Sequence, residues 1–248
     1  MSKGHTLLTG ALGGLGTAMT KALCAAGHQV IATDRRQEDY TPWLESLPAA
    51  IRNQITFYPL DVAREEAVSE LAATLAARGI HVAYLINNAG IQGAAKPWKM
   101  ETRTWRQVMD VNITGTFYMT RAFSEAMVNK GFGRIINVAS LYAYHPGVGQ
   151  GPYAAAKAAI TGYTRSTALD LARHGITVND IAPGIIWHDR LEGVVPEPEF
   201  KTLTAAIPAS RVGHPDDIAA TVAFLVSDGA SYITGQTIHV NGGLYMPG

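Results

Sequence analysis

Short apolar or β-branched runs alternate along the chain with longer stretches in which apolar residues return every three or four positions. The short runs, at 6–9, 29–33, 56–58, 83–86, 134–138, 177–181 and 237–240, predict seven strands. The helically spaced stretches lie at 15–26, 65–78, 105–129, 153–173 and 216–227. Strand and helix in alternation make βαβ units, and these build a parallel sheet with helices on both faces. The pattern therefore predicts an α/β fold, a doubly wound parallel sheet of about seven strands. Only 187–209 breaks the rhythm: it carries Pro196, Pro198 and Pro208 and mixes acidic with apolar residues. A loop there would stand beside the carboxyl ends of the strands, where open α/β sheets take their substrates.

Composition narrows the function without naming it. At 248 residues and 47% apolar content the chain suits one large domain, and no repeat or low-complexity linker divides it, so 1–248 is read as a single unit. Twenty basic residues balance twenty acidic ones and no basic block stands out, so nothing points to nucleic acid or an anionic membrane as a partner. A small molecule is the expected ligand. No apolar run is long enough to span a bilayer, and the N-terminus enters an apolar strand without the leader of a secreted protein. The single Cys24 allows no internal disulfide and sits in an Ala-rich helical setting that suits packing; the expected location is the cytoplasm. His5, His81, His174 and His239 show no ligand spacing, so no metal is expected.

The first chemical signal is Thr9-Gly10-Ala-Leu-Gly-Gly14-Leu15-Gly16, which follows the first strand and opens the first helix. Glycines allow the tight turn and let backbone approach a pyrophosphate, which the helix N-terminus then holds. Asp34 ends the second strand at the distance expected for a carboxylate that accepts hydrogen bonds from ribose hydroxyls and repels a 2′-phosphate. NAD is therefore expected rather than NADP. Arg35 and Arg36 follow at once, and either could pair with that phosphate instead.

The second signal is Tyr153 and Lys157, four residues apart on a predicted helix and so on one face of it. An ammonium beside a phenol favours the phenolate; bringing a tyrosine from its usual value near 10 to about 7 takes about 4 kcal/mol. A Tyr-x-x-x-Lys pair alone is commonplace on helix surfaces. Behind a dinucleotide turn, with Ser140 upstream, it points to an alcohol/ketone oxidoreductase.

Taken together these residues resemble the short-chain dehydrogenase/reductase family, from about Thr6 to the C-terminus. The resemblance implies a Rossmann-type fold, with Thr9-Gly-x-x-x-Gly-x-Gly16 as the cofactor turn, Asp61-Val62 on the adenine side and Asn87-Asn88-Ala89-Gly90 as the turn that closes the fourth strand beside the cofactor. It implies that Asn112, Ser140, Tyr153 and Lys157 form a catalytic tetrad, Ser140 preceding Tyr153 by the family's usual thirteen residues. Tyr153 would exchange the proton and Ser140 would hydrogen-bond the same substrate oxygen. Lys157 would assist the phenol and bind the nicotinamide ribose, and Asn112 would hold a proton-carrying water. Pro183, Gly184 and Ile186 would lie along the nicotinamide. His188 stands where the family commonly has a threonine, and could contact cofactor, substrate or neither.

Two rivals carry related residues. Epimerases and dehydratases with the same Tyr and Lys have longer chains with a separate substrate domain, and a noncatalytic NAD-binding regulator would have lost a tetrad member. For the substrate, the chain is most similar to acetoacetyl-CoA and 3-oxoacyl-thioester reductases, in Gly13–Thr17, Gly131–Asn137, Asn241–Met246 and Gln150. Gly147, Val148 and Ile185 differ from them, and Asp34 departs from their usual NADP preference. The leading expectation is thus an NAD-dependent oxidoreductase of a hydroxyacyl-CoA, a hydroxyacid or a small secondary alcohol or diol. The alternative is an NADP-dependent acetoacetyl-CoA or 3-oxoacyl-thioester reductase. Ser140, Tyr142, His145, Gln150, Tyr153, Ile185 and Trp187 are the candidate substrate residues. The resemblance also implies a homotetramer built on the helices at 105–129 and 153–173.

Overall fold

The computed structural model of the protein describes residues 3–187, 202 and 204–247. One sheet holds seven parallel strands: β1 (His5–Thr9), β2 (Val30–Asp34), β3 (Ile55–Pro59), β4 (Val82–Asn87), β5 (Gly133–Val138), β6 (Ile176–Pro183) and β7 (Thr237–Val240). Each coincides with a predicted strand to within two residues. Their order is β3-β2-β1-β4-β5-β6-β7, so the winding reverses between β1 and β4. At such a reversal the connections leave in opposite directions and open a crevice at the strands' carboxyl ends.

The helices are α1 (Gly14–Ala25), α2 (Tyr40–Ser46), α3 (Ala49–Arg52), α4 (Glu65–Ala77), α5 (Thr102–Met109), α6 (Gly115–Lys130), α7 (Gly151–Leu171) and α8 (Pro215–Val226). Successive strand residues feed two separate cores. Leu8, Ala32, Ile86, Ile136 and Ile181 pack with Met19 and Leu23 of α1 and Val222 and Leu225 of α8. Leu7, Ile31, Leu85, Ile135 and Val178 pack on the other face with Leu71 and Leu75 of α4 and Met119 and Met127 of α6. Burial on both faces is why the strands read as unbroken apolar runs. Each fully buried Leu or Ile contributes about 1.5–3 kcal/mol.

Three features depart from the sequence pattern. The predicted helix at 105–129 is interrupted: α5 and α6 are joined by a π-helical turn, Asp110–Thr114, which inserts a residue and carries Asn112 into the interior. Helices α2 and α3 fell below recognition because seven and four residues are too short to show a period. And 187–209, expected as a loop, is helical at Thr202, Thr204 and Ala205; residues 188–201 and 203 lie outside the described residues.

What holds α2 is Trp43, buried in the α1 core, with its indole N–H donating to Thr17 Oγ1 at 2.8 Å. Thr17 Oγ1 in turn donates to the Gly13 carbonyl at 2.9 Å, at the start of α1. Trp43→Ala is expected to cost about 3–5 kcal/mol. In a chain this long that is a fall in Tm of roughly 6–20 °C, read by differential scanning calorimetry.

Candidate active site

Turns at the carboxyl ends of β1, β4 and β5 converge on the crevice. After β1, Gly10 takes φ +65°, and a side chain on Gly16 would collide with the Gly10 carbonyl. Gly14 is different: nothing lies within 4 Å of where its Cβ would stand. No side chain caps the amino end of α1 and no acid sits in its first turn, so its leading amides and positive dipole end are free of protein anions. A tight backbone curve, an open glycine and an uncapped helix start together fit a pyrophosphate. Leu15 packs against the α1 core.

Thr9 and Asn88 are used internally. Thr9 Oγ1 accepts from the backbone N–H of Asn88 and of Ala89, each at 3.0 Å, while Asn88 Nδ2 donates to the carbonyls of Thr9 and Gly10 at 3.0 and 3.1 Å. These bonds splice the β1 and β4 turns into one rim, leaving backbone rather than their side chains to meet a cofactor. At the far end of the rim, Asp34 is gripped by Arg36, with Nε to Oδ1 at 3.1 Å and Nη2 to Oδ2 at 3.2 Å. Arg35 is exposed. Asp61 Oδ1 accepts from the Ala63 N–H at 3.1 Å, and Val62 is buried against Gly115.

The four tetrad residues come together from three elements. Ser140 leaves β5 in extended conformation, and its Oγ accepts from the Tyr142 N–H at 3.1 Å. That bond occupies a lone pair of the oxygen and leaves the hydroxyl proton to point toward Tyr153, with which Ser140 hydrogen-bonds. The Tyr142 ring stands edge-on to Tyr153, centroids 6.1 Å apart at 86°. One turn along α7, Lys157 is buried; its Nζ donates to the Val138 carbonyl at 2.6 Å and lies 5.6 Å from the Tyr153 ring centroid. A Cβ on Gly90 would stand 2.6 Å from Asn112 Oδ1 and 3.4 Å from Lys157 Nζ, so the bare glycine is what lets these two approach. Asn112 Nδ2 donates to the Ile91 and Val108 carbonyls at 2.9 and 2.8 Å, and its buried Oδ1 has no protein donor. An acceptor so placed fits a bridging group between it and the ammonium.

The protonation balance corrects one expectation. Lys157 was expected to draw the phenol down, but burial pushes Tyr153 above its usual value; the Ser140 hydrogen bond works against that rise and neighbouring Tyr142 adds to it. Burial likewise lowers Lys157, to about 8, with Asp180 opposing the fall. Its ammonium is committed to the Val138 carbonyl and not to the phenol oxygen.

Beyond β6, Gly184 N–H donates to the Val240 carbonyl at 2.9 Å, and a Cβ on it would strike Asn241. Pro183 and Gly184 thus lie tight against the end of β7. Ile185–Trp187 is strapped to Gly213: Gly213 N–H donates to Ile185 O at 2.8 Å and Trp187 N–H to Gly213 O at 2.7 Å. Ile186 packs on the α1 core, and His188 lies outside the described residues. Gln150 lines a half-open cavity of about 540 Å³ with Pro97, Met100, Trp105, Gly147 and Pro152. His145 is exposed.

Sequence reasoning missed Asp180 and Asn137, and it set Asn87 in the turn after the fourth strand, whereas Asn87 ends β4 and is buried with the other two on the α6–α7 face. The signal was there: polar residues inside strands that otherwise read as unbroken apolar runs. It missed the grip of Arg36 on Asp34 because side-chain pairing is invisible in one dimension.

A parallel sheet reversing at a glycine-rich rim, with Ser140, Tyr153 and Lys157 gathered above it, defines a dinucleotide-dependent oxidoreductase fold, and the chain belongs to the short-chain dehydrogenase/reductase family. It is an oxidoreductase of the secondary alcohol/ketone pair. The family profile described as enoyl-(acyl carrier protein) reductase matches residues 10–245. The 3-oxoacyl-(acyl-carrier-protein) reductase FabG of Vibrio cholerae is 38% identical over 240 residues, spanning 97% of this chain and 96% of that protein. Nodulation protein G of a Rhizobium species is 37% identical over the same shares. A solved structure described as a candidate gluconate dehydrogenase from Agrobacterium tumefaciens superposes with a TM-score of 0.93 at 32% identity, covering 99% of this chain and 98% of that one.

The two glycines of the turn separate packing from ligand binding. Gly14→Ala is expected to leave Tm within a degree or two while weakening dinucleotide binding at least about tenfold, whereas Gly16→Ala forces backbone apart and should cost about 1–3 kcal/mol of stability. Calorimetry for fold and fluorescence titration for dinucleotide measure the two effects separately.

Proposed function

We propose that this oxidoreductase reduces the ketone of a 3-oxoacyl thioester, using Asn112, Ser140, Tyr153 and Lys157 as its catalytic set and NADH as its dinucleotide. The names of the curated relatives support the thioester, the alternative in the sequence reading, over the hydroxyacid or small alcohol that led it. The observation that carries the reaction is the Ser140–Tyr153 pair: a serine hydroxyl oriented by the Tyr142 N–H, beside a phenol whose hydrogen bond with Ser140 opposes the upward push of burial. In the reducing direction this phenol gives its proton to the developing alkoxide.

A bound nicotinamide dinucleotide supplies the hydride. As negative charge gathers on the substrate oxygen, Ser140 donates a hydrogen bond to it and Tyr153 delivers the proton. Lys157, fixed by the Val138 carbonyl, then stabilises the phenolate left behind, and Asn112 Oδ1 would hold a water that bridges toward Lys157 and from which the proton is restored. The cavity lined by Met100, Trp105 and Gln150 would take the acyl portion of the substrate.

For the dinucleotide, support comes from Asp34 and from a turn, 9–16, without a basic side chain. A carboxylate about 4 Å from a 2′-phosphate costs up to about 4 kcal/mol per unit charge at an effective dielectric of 20. Arg36 offsets this only by leaving Asp34, which it now binds through two hydrogen bonds. Against NAD stands the NADP use that resemblance to 3-oxoacyl reductases implies. The same reading carries a cytoplasmic location, supported by the single buried Cys24, and a homotetramer through α6 and α7.

One observation favours a second reading. The solved gluconate dehydrogenase candidate covers 98% of its length with this chain, which supports oxidation of a hydroxyacid or polyol at the same residues. A panel of acetoacetyl-CoA, 3-oxoacyl-acyl-carrier-protein, gluconate and small secondary alcohols decides between them. The thioesters are expected to show kcat/KM at least about tenfold above the rest, and the reverse order overturns the thioester assignment. Tyr153→Phe is expected to lower kcat by about 10²–10⁴ with dinucleotide affinity nearly intact; near-normal turnover would remove Tyr153 from the mechanism. NADH is expected to outperform NADPH by at least about tenfold in kcat/KM, and Asp34→Ala to erase most of that preference. Wild-type enzyme that prefers NADPH would refute the NAD assignment.

A further inference from the structure

Tyr142 spans the distance from the catalytic phenol to the cavity beside it. The turn that leaves β5, Leu141–Ala143, fixes its backbone, whose N–H donates to Ser140 Oγ at 3.1 Å. From there the ring reaches Tyr153, edge-on with centroids 6.1 Å apart at 86°. Its far end comes to Gly147: a Cβ on that glycine would stand 3.3 Å from the Tyr142 hydroxyl and 3.6 Å from Gln150 Cγ. Gly147 and Gln150 both line the cavity of about 540 Å³. One side chain thus runs from the proton donor to the space assigned to the acyl portion of the substrate.

The hydroxyl it carries there is unused. Among the described residues the Tyr142 hydroxyl has no hydrogen-bond partner, and the residue is only half-buried. Tyr144, two residues on, shows the ordinary arrangement for a tyrosine packed into a protein: its hydroxyl lies 3.0 Å from Thr237 Oγ1 and 3.3 Å from Thr161 Oγ1. Nearby walls bring little that could replace such a partner, since Pro97, Pro146 and Pro152 have no donor in their side chains. A free donor between a proton-transfer site and a largely apolar cavity suits a substrate with a second oxygen close to its ketone.

A 3-oxoacyl thioester has that second oxygen, because a single methylene separates its two carbonyl carbons. When Ser140 and Tyr153 hold the ketone oxygen, the thioester carbonyl lies close by. Tyr142 is bonded to the first of these residues and packed on the second, and it still carries a free donor. We propose that Tyr142 is a specificity-determining residue whose hydroxyl donates to the thioester carbonyl and so selects substrates with the ketone β to it. The inference rests on the 3-oxoacyl reading above and deepens it by naming the residue that sets the spacing of the two oxygens. Gly147 has a matching part. Its φ is not positive, so the backbone would accept alanine; what a methyl group would take is the room beside the Tyr142 hydroxyl.

The test reads binding and needs no turnover. An oxidised dinucleotide has no hydride to give a ketone, so full-length enzyme saturated with NAD or NADP, whichever binds tighter, forms an unreactive ternary complex whose affinity calorimetry measures. Acetoacetyl-CoA and 4-oxopentanoyl-CoA share carrier, thioester and ketone and differ by the one methylene that moves the two oxygens apart. Wild type is expected to bind the 3-oxo compound at least about tenfold tighter. Tyr142→Phe keeps the ring against Tyr153 and should bring that ratio to within about twofold by weakening the 3-oxo compound. Gly147→Ala crowds the hydroxyl and should lower the ratio part of the way, with no further effect in the Tyr142→Phe background. Equal affinity of the wild type for the two ketones, binding of neither, or a ratio unchanged by Tyr142→Phe overturns the proposal. If Tyr142→Phe does not fold, Gly147→Ala decides, and an unmoved ratio overturns it. Discrimination in binding without turnover of any thioester would count against the proposed function alone.

Discussion

A lysine ammonium buried at the carboxyl edge of a parallel sheet is an expensive object, and much of this molecule is arranged around it. Lys157 is fully enclosed, yet it must remain charged to act on a phenol or a ribose. The structure meets that demand with the Val138 carbonyl at 2.6 Å and a glycine at position 90 that lets Asn112 come near. They come from the end of β5, the turn after β4 and the π turn, so the pairing of β4 with β5 is itself a condition for the site.

The crevice shows the same economy in its use of backbone. Thr9 and Asn88 spend their side chains joining the β1 and β4 turns, which frees the glycines between them to present amides and open space. Rigidity at the rim and openness at Gly14 thus come from one set of hydrogen bonds. The π turn at Asp110–Thr114 plays a comparable part for Asn112, which a regular helix would have carried elsewhere.

The strands and long helices were legible because double-sided burial writes itself into sequence as apolar runs of strand length, separated by helical periodicity. That Tyr153, Lys157 and Ser140 would stand together was legible from their spacing along the chain. Trp43 and α2 were not, since a seven-residue helix docked by one indole has no period to detect. The direction of the Tyr153 shift was misjudged for a related reason: proximity of a charge can be read from i, i+4 spacing, but desolvation cannot, and desolvation dominates.

By itself the sequence determined the α/β class, the glycine-rich turn after β1 and the acid at the end of β2, because these depend on local pattern and short-range spacing. Only the tertiary structure decided which side chains face which partner. Asn87, Asn137 and Asp180 stand about fifty and forty residues apart in sequence and become one row only when β4, β5 and β6 pair in register. Arg36 closes on Asp34, and Lys157 turns to Val138 rather than to Tyr153, because hydrogen-bond geometry and exclusion of water are settled by the packed whole.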